Sequence, residues 1–110
     1  MSSELSEISR KLNKYYNLKD TLNRIIISLG NSADSLQRAA LKISEFYSID
    51  DSSADDRRID GDRNEVVHMR DTLKNGIVPA INEAIDSLLR ERRRIEAEIA
   101  AKLLEAKLNE

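Results

Sequence analysis

The stretch LSEISRKLNKYYNLKDTLNRIIISLGNSADSLQRAALKISEFY, residues 5–47, decides the fold. Apolar residues recur along it at alternating spacings of three and four, the period that lines one face of a helix. Written as heptads, the a positions are Leu5, Leu12, Lys19, Ile26, Ala33, Ala40 and Tyr47, and the d positions are Ile8, Tyr15, Leu22, Leu29, Leu36 and Ile43. Lys19 is the one polar residue on this seam. Leu18, Ile25, Ala39 and Phe46 at g, with Tyr16 at e, widen the apolar stripe beyond what one partner helix covers. The pattern predicts a helix over about 3–48. Gly30-Asn31-Ser32 is its weak point, since a glycine in a helix interior costs about 1 kcal/mol relative to alanine. A bend or local fraying is expected there rather than a break.

Working outward, SIDDSSADDRRIDG at 48–61 loses the period, gathers Asp and Ser and ends in Gly, the profile of an exposed acidic connection over about 49–61. Asp60 or Asp62 can then cap a second helix, with Glu65 completing a capping-box-like arrangement behind Asp62. That helix is expected over about 62–108, with Val66, Met69, Leu73, Ile77, Ile81, Ile85, Leu88, Ile95, Ile99 and Leu103 on its apolar side. Leu73, Ile77, Ile81 and Ile85 follow one another at spacings of four, a stutter in the heptad. Gly76 and Pro79 sit in the same stretch, and proline removes a helical hydrogen bond and crowds the carbonyl four residues back, so a kink near 75–79 is expected. The expected product is a single all-α domain over 1–110, an antiparallel hairpin of two long, amphipathic, coiled-coil-like helices, the second kinked near Pro79.

Composition agrees. One Phe, three Tyr and no Trp among 110 residues make any core aliphatic, and four Gly and Pro residues together (three and one) leave little punctuation. Both signs of charge are interleaved to a net charge of -2, so no bulk field favours nucleic acid or an anionic membrane. With no Cys and a single His, His68, neither disulfides, thiolate chemistry nor a His-rich metal site is expected, and no cofactor is implied. MSSELSEISRKLNK at 1–14 has no apolar h-region, and the longest strongly apolar run, Ile25-Ile26-Ile27, is far too short to enter a bilayer as a span. No signal peptide and no membrane insertion are expected.

Few residues suggest chemistry. The acidic cluster Asp50, Asp51, Asp55, Asp56, Asp60 and Asp62 lacks the D-x-D-x-D-G order and closing Glu of a calcium loop and reads as a solvated turn. His68, with Glu65 and Asp71 three residues to either side, has no second His, Cys or Ser constellation and reads as a surface histidine. In Arg90-Glu91-Arg92-Arg93-Arg94, the densest basic run, Arg92 can pair with Glu96, Arg94 with Glu98, and Glu98 with Lys102, which makes it a neutralised helical face rather than a phosphate grip. Lys19 and Arg92 each fall on the apolar seam of their helix. A hairpin folded about residue 55 brings both into one layer, where buried like charges repel. Either their stems snorkel to Asp20 and Glu91 at the rim, or an acidic group from a third helix enters there.

Two helices joined by a connection ending in glycine, Ile59-Asp60-Gly61, resemble the WXG family of small type VII secretion proteins of Gram-positive bacteria, with Ile59 where that family carries Trp. MSSELSEISRKL at 1–12 and Asn75-Gly76-Ile77-Val78-Pro79-Ala80-Ile81 are similar to the WXG-like helical partners of LXG toxins. The resemblance implies a bacterial cytoplasmic protein that binds the N-terminal helical domain of an LXG-type toxin, alongside it a second small helical protein, and that is co-exported with its partner. It also implies an aromatic-x-x-x-acid export motif, matched by Phe46 with Asp50 and by Tyr47 with Asp51, at the end of helix one rather than helix two, and also by Tyr16 with Asp20; the alternative reading makes Phe46 a core residue and Asp50 a loop aspartate.

The leading expectation is therefore a non-enzymatic adaptor and targeting chaperone whose partner-binding face comprises Tyr16, Leu18, Lys19, Ile25, Ala39, Phe46 and Arg92. The alternative is a self-assembling coiled-coil protein, structural or chaperone-like, in which a second copy forms a homodimer over the same face. No nucleic-acid partner is expected.

Overall fold

The computed structural model describes the backbone of residues 2–46 and 53–109, and the side chains of residues 3–42 and 57–109. It is all-helical among the described residues. Helix α1 (Ser2–Phe46) is followed by α2 (Ser53–Thr72), a π-helical turn (Leu73–Ile77) and α3 (Val78–Leu108). The chain is a helical hairpin, with α1 as one arm and α2, the π-turn and α3 as the other.

The heptad seam of α1 is the face that packs. Ile8, Leu12, Leu22 and Ala33 are buried, and Leu5, Tyr15, Lys19, Ile26, Leu29, Leu36 and Ala40 are half-buried. Every seam position from 5 to 40 is thus withdrawn from water, as a stripe of period 3.5 requires when one neighbouring helix covers it. Gly30 does not break the helix, and a Cβ built there would meet the Cδ of Arg70 at 4.0 Å, an ordinary contact.

The second arm starts earlier than the sequence suggests. Residues 53–61, expected within the acidic connection, belong to α2, so Asp60 and Asp62 lie inside a helix instead of capping one. Ser followed closely by Asp suits a first helical turn as well as a loop, which is why the two readings compete at 53–56. Ile59-Asp60-Gly61 accordingly sits within α2 and not in a turn, and Gly61 has no left-handed backbone conformation.

The kink expected near Pro79 takes the form of the π-turn. The Val78 N–H donates to the Leu73 carbonyl, five residues back, in place of the four of an α-helix. Pro79 follows directly, where its missing N–H and its ring would otherwise disrupt an α-helical turn. The extra residue also resets the seam. Among the half-buried or buried positions, one seam runs 59, 63, 66, 70, 73, then 78, 81, 85, 88, 92, 95 and 99, spaced by three and four except for the step of five across the π-turn, with half-buried Val67, Asp71, Asn82, Ala84 and Leu89 beside it. Ile77, Met69 and Leu103, expected on the apolar side, are exposed; Val78 replaces Ile77, and Arg63 and Arg70 occupy seam positions in α2.

The chain divides into two compact units, residues 1–20 with 79–110 and residues 21–78. In the first, Ile8 and Leu12 of α1 and Ile81, Ile85 and Ile95 of α3 form the core. In the second, Leu22 and Ala33 are buried, and the facing stretch of α2 supplies half-buried Ile59, Val66, Arg63 and Arg70. The first core is aliphatic; the second is mixed.

Candidate functional site

The first unit holds an open surface concavity between α1 and α3. On α1, Lys11, Lys14, Tyr15 and Leu18 are spaced i, i+3, i+4, i+7 and so share one face; on α3, Ala84, Ser87 and Leu88 do the same. Together they line a groove of about 510 Å³. Its floor is apolar, made by Tyr15, Leu18, Ala84 and Leu88, and one rim carries Lys11 and Lys14. Leu18 retains 45% of its exposure although it lies beside a packed seam, because it occupies the g flank that α3 does not reach.

A second groove continues toward the start of α1, lined by Glu4, Glu7, Ile8 and Lys11 with Glu91, Arg94 and Ile95. Rising numbers on α1 meet falling numbers on α3 along both grooves, so the two segments are antiparallel. Leu18 lies by Ala84, while Arg92 belongs to the turn facing Ile8 and Lys11. Lys19 and Arg92 are therefore about ten residues of helix apart, about 15 Å at 1.5 Å per residue. The expected layer of two like charges does not form. Arg92 Nε lies 3.8 Å from Glu96 on its own helix rather than reaching Glu91, and half-buried Lys19 makes no ion pair among the described residues.

The remaining residues singled out from the sequence fall in separate places. Tyr16 is exposed but two positions from Leu18, hence on the opposite flank of the seam, so one incoming helix cannot cover both. Ile25 and Ala39 are exposed on the g flank in the second unit. Phe46 ends α1, but its side chain, like the whole of Asp50, lies outside the described residues, as does most of the acidic cluster. His68 is exposed, beside Met69, Thr72 and Leu73 on one face of the helix, and its carbonyl accepts a 2.8 Å hydrogen bond from Thr72 Oγ1. Arg94 bonds Glu98 at 3.0 Å, as the basic run suggested. No group of three or more His, Cys, Asp or Glu residues converges among the described residues, and no helix there is long and apolar enough to cross a membrane.

Sequence reasoning missed Arg63. It lies on the inner face of α2, and its Nε is buried with no hydrogen-bond partner among the described residues. The signal was available only after the seam of α2 had been phased by the π-turn. Lys11 and Lys14 were also passed over, because cations at g and c positions look like any solvated helix surface until a groove opens beside them.

Comparisons with protein-family models, with curated proteins and with solved structures give no match for this chain.

Proposed function

We propose that the protein is a non-enzymatic adaptor that binds the N-terminal helical domain of an LXG-type toxin and helps direct it to type VII secretion. One observation carries this: a hairpin with a regular, buried seam still leaves an open, apolar-floored groove on the flank of that seam, with Leu18 exposed in it. Two-helix surfaces of this form bind amphipathic helices, because burying a leucine-sized side chain contributes about 1.5–3 kcal/mol and the groove supplies several such contacts. The aliphatic composition, the absence of any converging catalytic constellation in the sequence and the similarity of residues 1–12 and 75–81 to LXG partner proteins support the same role. In this role the protein works in the bacterial cytoplasm and leaves with its partner. Co-expression with the helical domain of an LXG toxin encoded beside it should yield one species on gel filtration; separate elution of the two proteins would refute the adaptor role.

Self-assembly as a coiled-coil protein is the second reading, favoured by Leu103, Leu104 and Leu108, which all stand exposed at the end of α3. Sedimentation of the chain alone separates the two: a stable homo-oligomer supports self-assembly, and a monomer that assembles only with the toxin domain supports the adaptor.

A further inference from the structure

We infer that the groove between Lys11–Leu18 of α1 and Ala84–Leu88 of α3 takes a third helix whose apolar face is flanked by carboxylates, which meet Lys11 and Lys14. The identity of the partner as a toxin rests on the adaptor reading; the chemistry of the occupant rests on the groove.

The lining dictates a helix. Residues at i, i+3, i+4 and i+7 on one wall and i, i+3 and i+4 on the other make a furrow that follows two antiparallel helices, which is the groove a third helix occupies in a bundle. Small residues widen the α3 wall: Ala84 and Ser87 leave room for the knobs of an incoming helix, while Tyr15 and Leu88 make its floor.

The charge of the rim dictates the flanks. Lys14 has Arg10, Lys11, Asn17 and Leu18 at the positions one turn away on α1, so its own helix offers it no carboxylate. Lys11 has Glu7 one turn back, but Glu7 bonds Arg10 at 3.5 Å, and Glu91 across the neighbouring groove does not come within ion-pair distance of Lys11. Neither lysine forms an ion pair among the described residues. An apolar furrow whose rim carries two lysines without an ion pair among the described residues discriminates between otherwise identical helices by the sign of their flanking residues. The apolar floor disfavours nucleic acid, whose phosphates would meet Leu18 and Leu88 beside the lysines.

Two synthetic helical peptides with the same leucine face, one flanked by Glu and the other by Lys, test this on the full-length chain by NMR titration. The Glu-flanked peptide should shift the signals of Lys11, Lys14, Leu18, Ala84 and Leu88 and bind roughly tenfold more tightly than its Lys-flanked twin at low salt. The double variant Lys11→Glu/Lys14→Glu, both at exposed positions, should reverse that preference while retaining the helical circular dichroism of the parent. Equal binding of the two peptides, or shifts confined to other residues, would overturn the inference. So would a homodimer of the chain alone that Leu18→Lys dissociates, since a second copy would then fill the groove. Because the peptides owe nothing to any toxin, failure to bind the toxin domain with the peptide preference intact would count against the adaptor role alone.

Discussion

At the scale of single residues, the molecule rests on a few aliphatic side chains and tolerates several charged ones. Ile95 is 3% exposed, and a thin two-helix core has little material with which to refill a deletion. Ile95→Ala should therefore lower stability by about 2–5 kcal/mol, read as an earlier midpoint in urea unfolding. Arg63 presents the opposite case. Its Nε is buried without a partner, and an unsatisfied buried donor costs on the order of 1 kcal/mol or more. Arg63→Met keeps the length and the apolar stem and removes the donor, so thermal unfolding should move to higher temperature by a few degrees. A lower melting temperature would mean that the guanidinium makes a contribution its surroundings do not reveal. The seam of α1 was legible residue by residue, because buried and half-buried positions follow the heptad from Leu5 to Ala40. The pairing of Lys19 with Arg92 was not, since it depended on where the hairpin turns, and an error of a few residues in that point moves facing positions by twice as many.

At the scale of elements, the second arm departs from its sequence reading in two places for separable reasons. The spacing Leu73-Ile77-Ile81-Ile85 reads as a stutter in the heptad, whereas the chain inserts one residue by a π-turn and keeps a heptad-like seam on either side, with Val78 in place of Ile77. Proline and glycine announced the irregularity but not its kind. The start of α2 was missed because Asp and Ser favour both loops and first helical turns, and a glycine at 61 tipped the balance toward a loop. Gly61 distinguishes the two. In α2 nothing lies within 4 Å of an added Cβ, so Gly61→Ala should raise stability by about 0.5–1 kcal/mol. In a glycine-ended turn with left-handed backbone the same change would destabilise, and that result in denaturant unfolding would restore the longer connection.

For the whole molecule, the distribution of core against open surface is what links fold to function. The first unit places an aliphatic core of Ile8, Leu12, Ile81, Ile85 and Ile95 directly beside an open groove able to receive another helix. The breadth of the stripe was visible in the sequence as apolar g and e residues. Tyr16 at e and Leu18 at g fall on opposite flanks of the heptad, and the packed structure selects the Leu18 side as the groove. The proposed adaptor role therefore depends on a defined surface rather than on general stickiness. Oxidative footprinting of side chains, with and without the helical domain of an LXG toxin, examines that surface most directly. Leu18, Tyr15 and Leu88 should be strongly protected in the complex, with Met69 and Leu108 as reactive as before; unchanged oxidation of Leu18 in a complex that forms, or the absence of any complex, would overturn the proposed role of this groove.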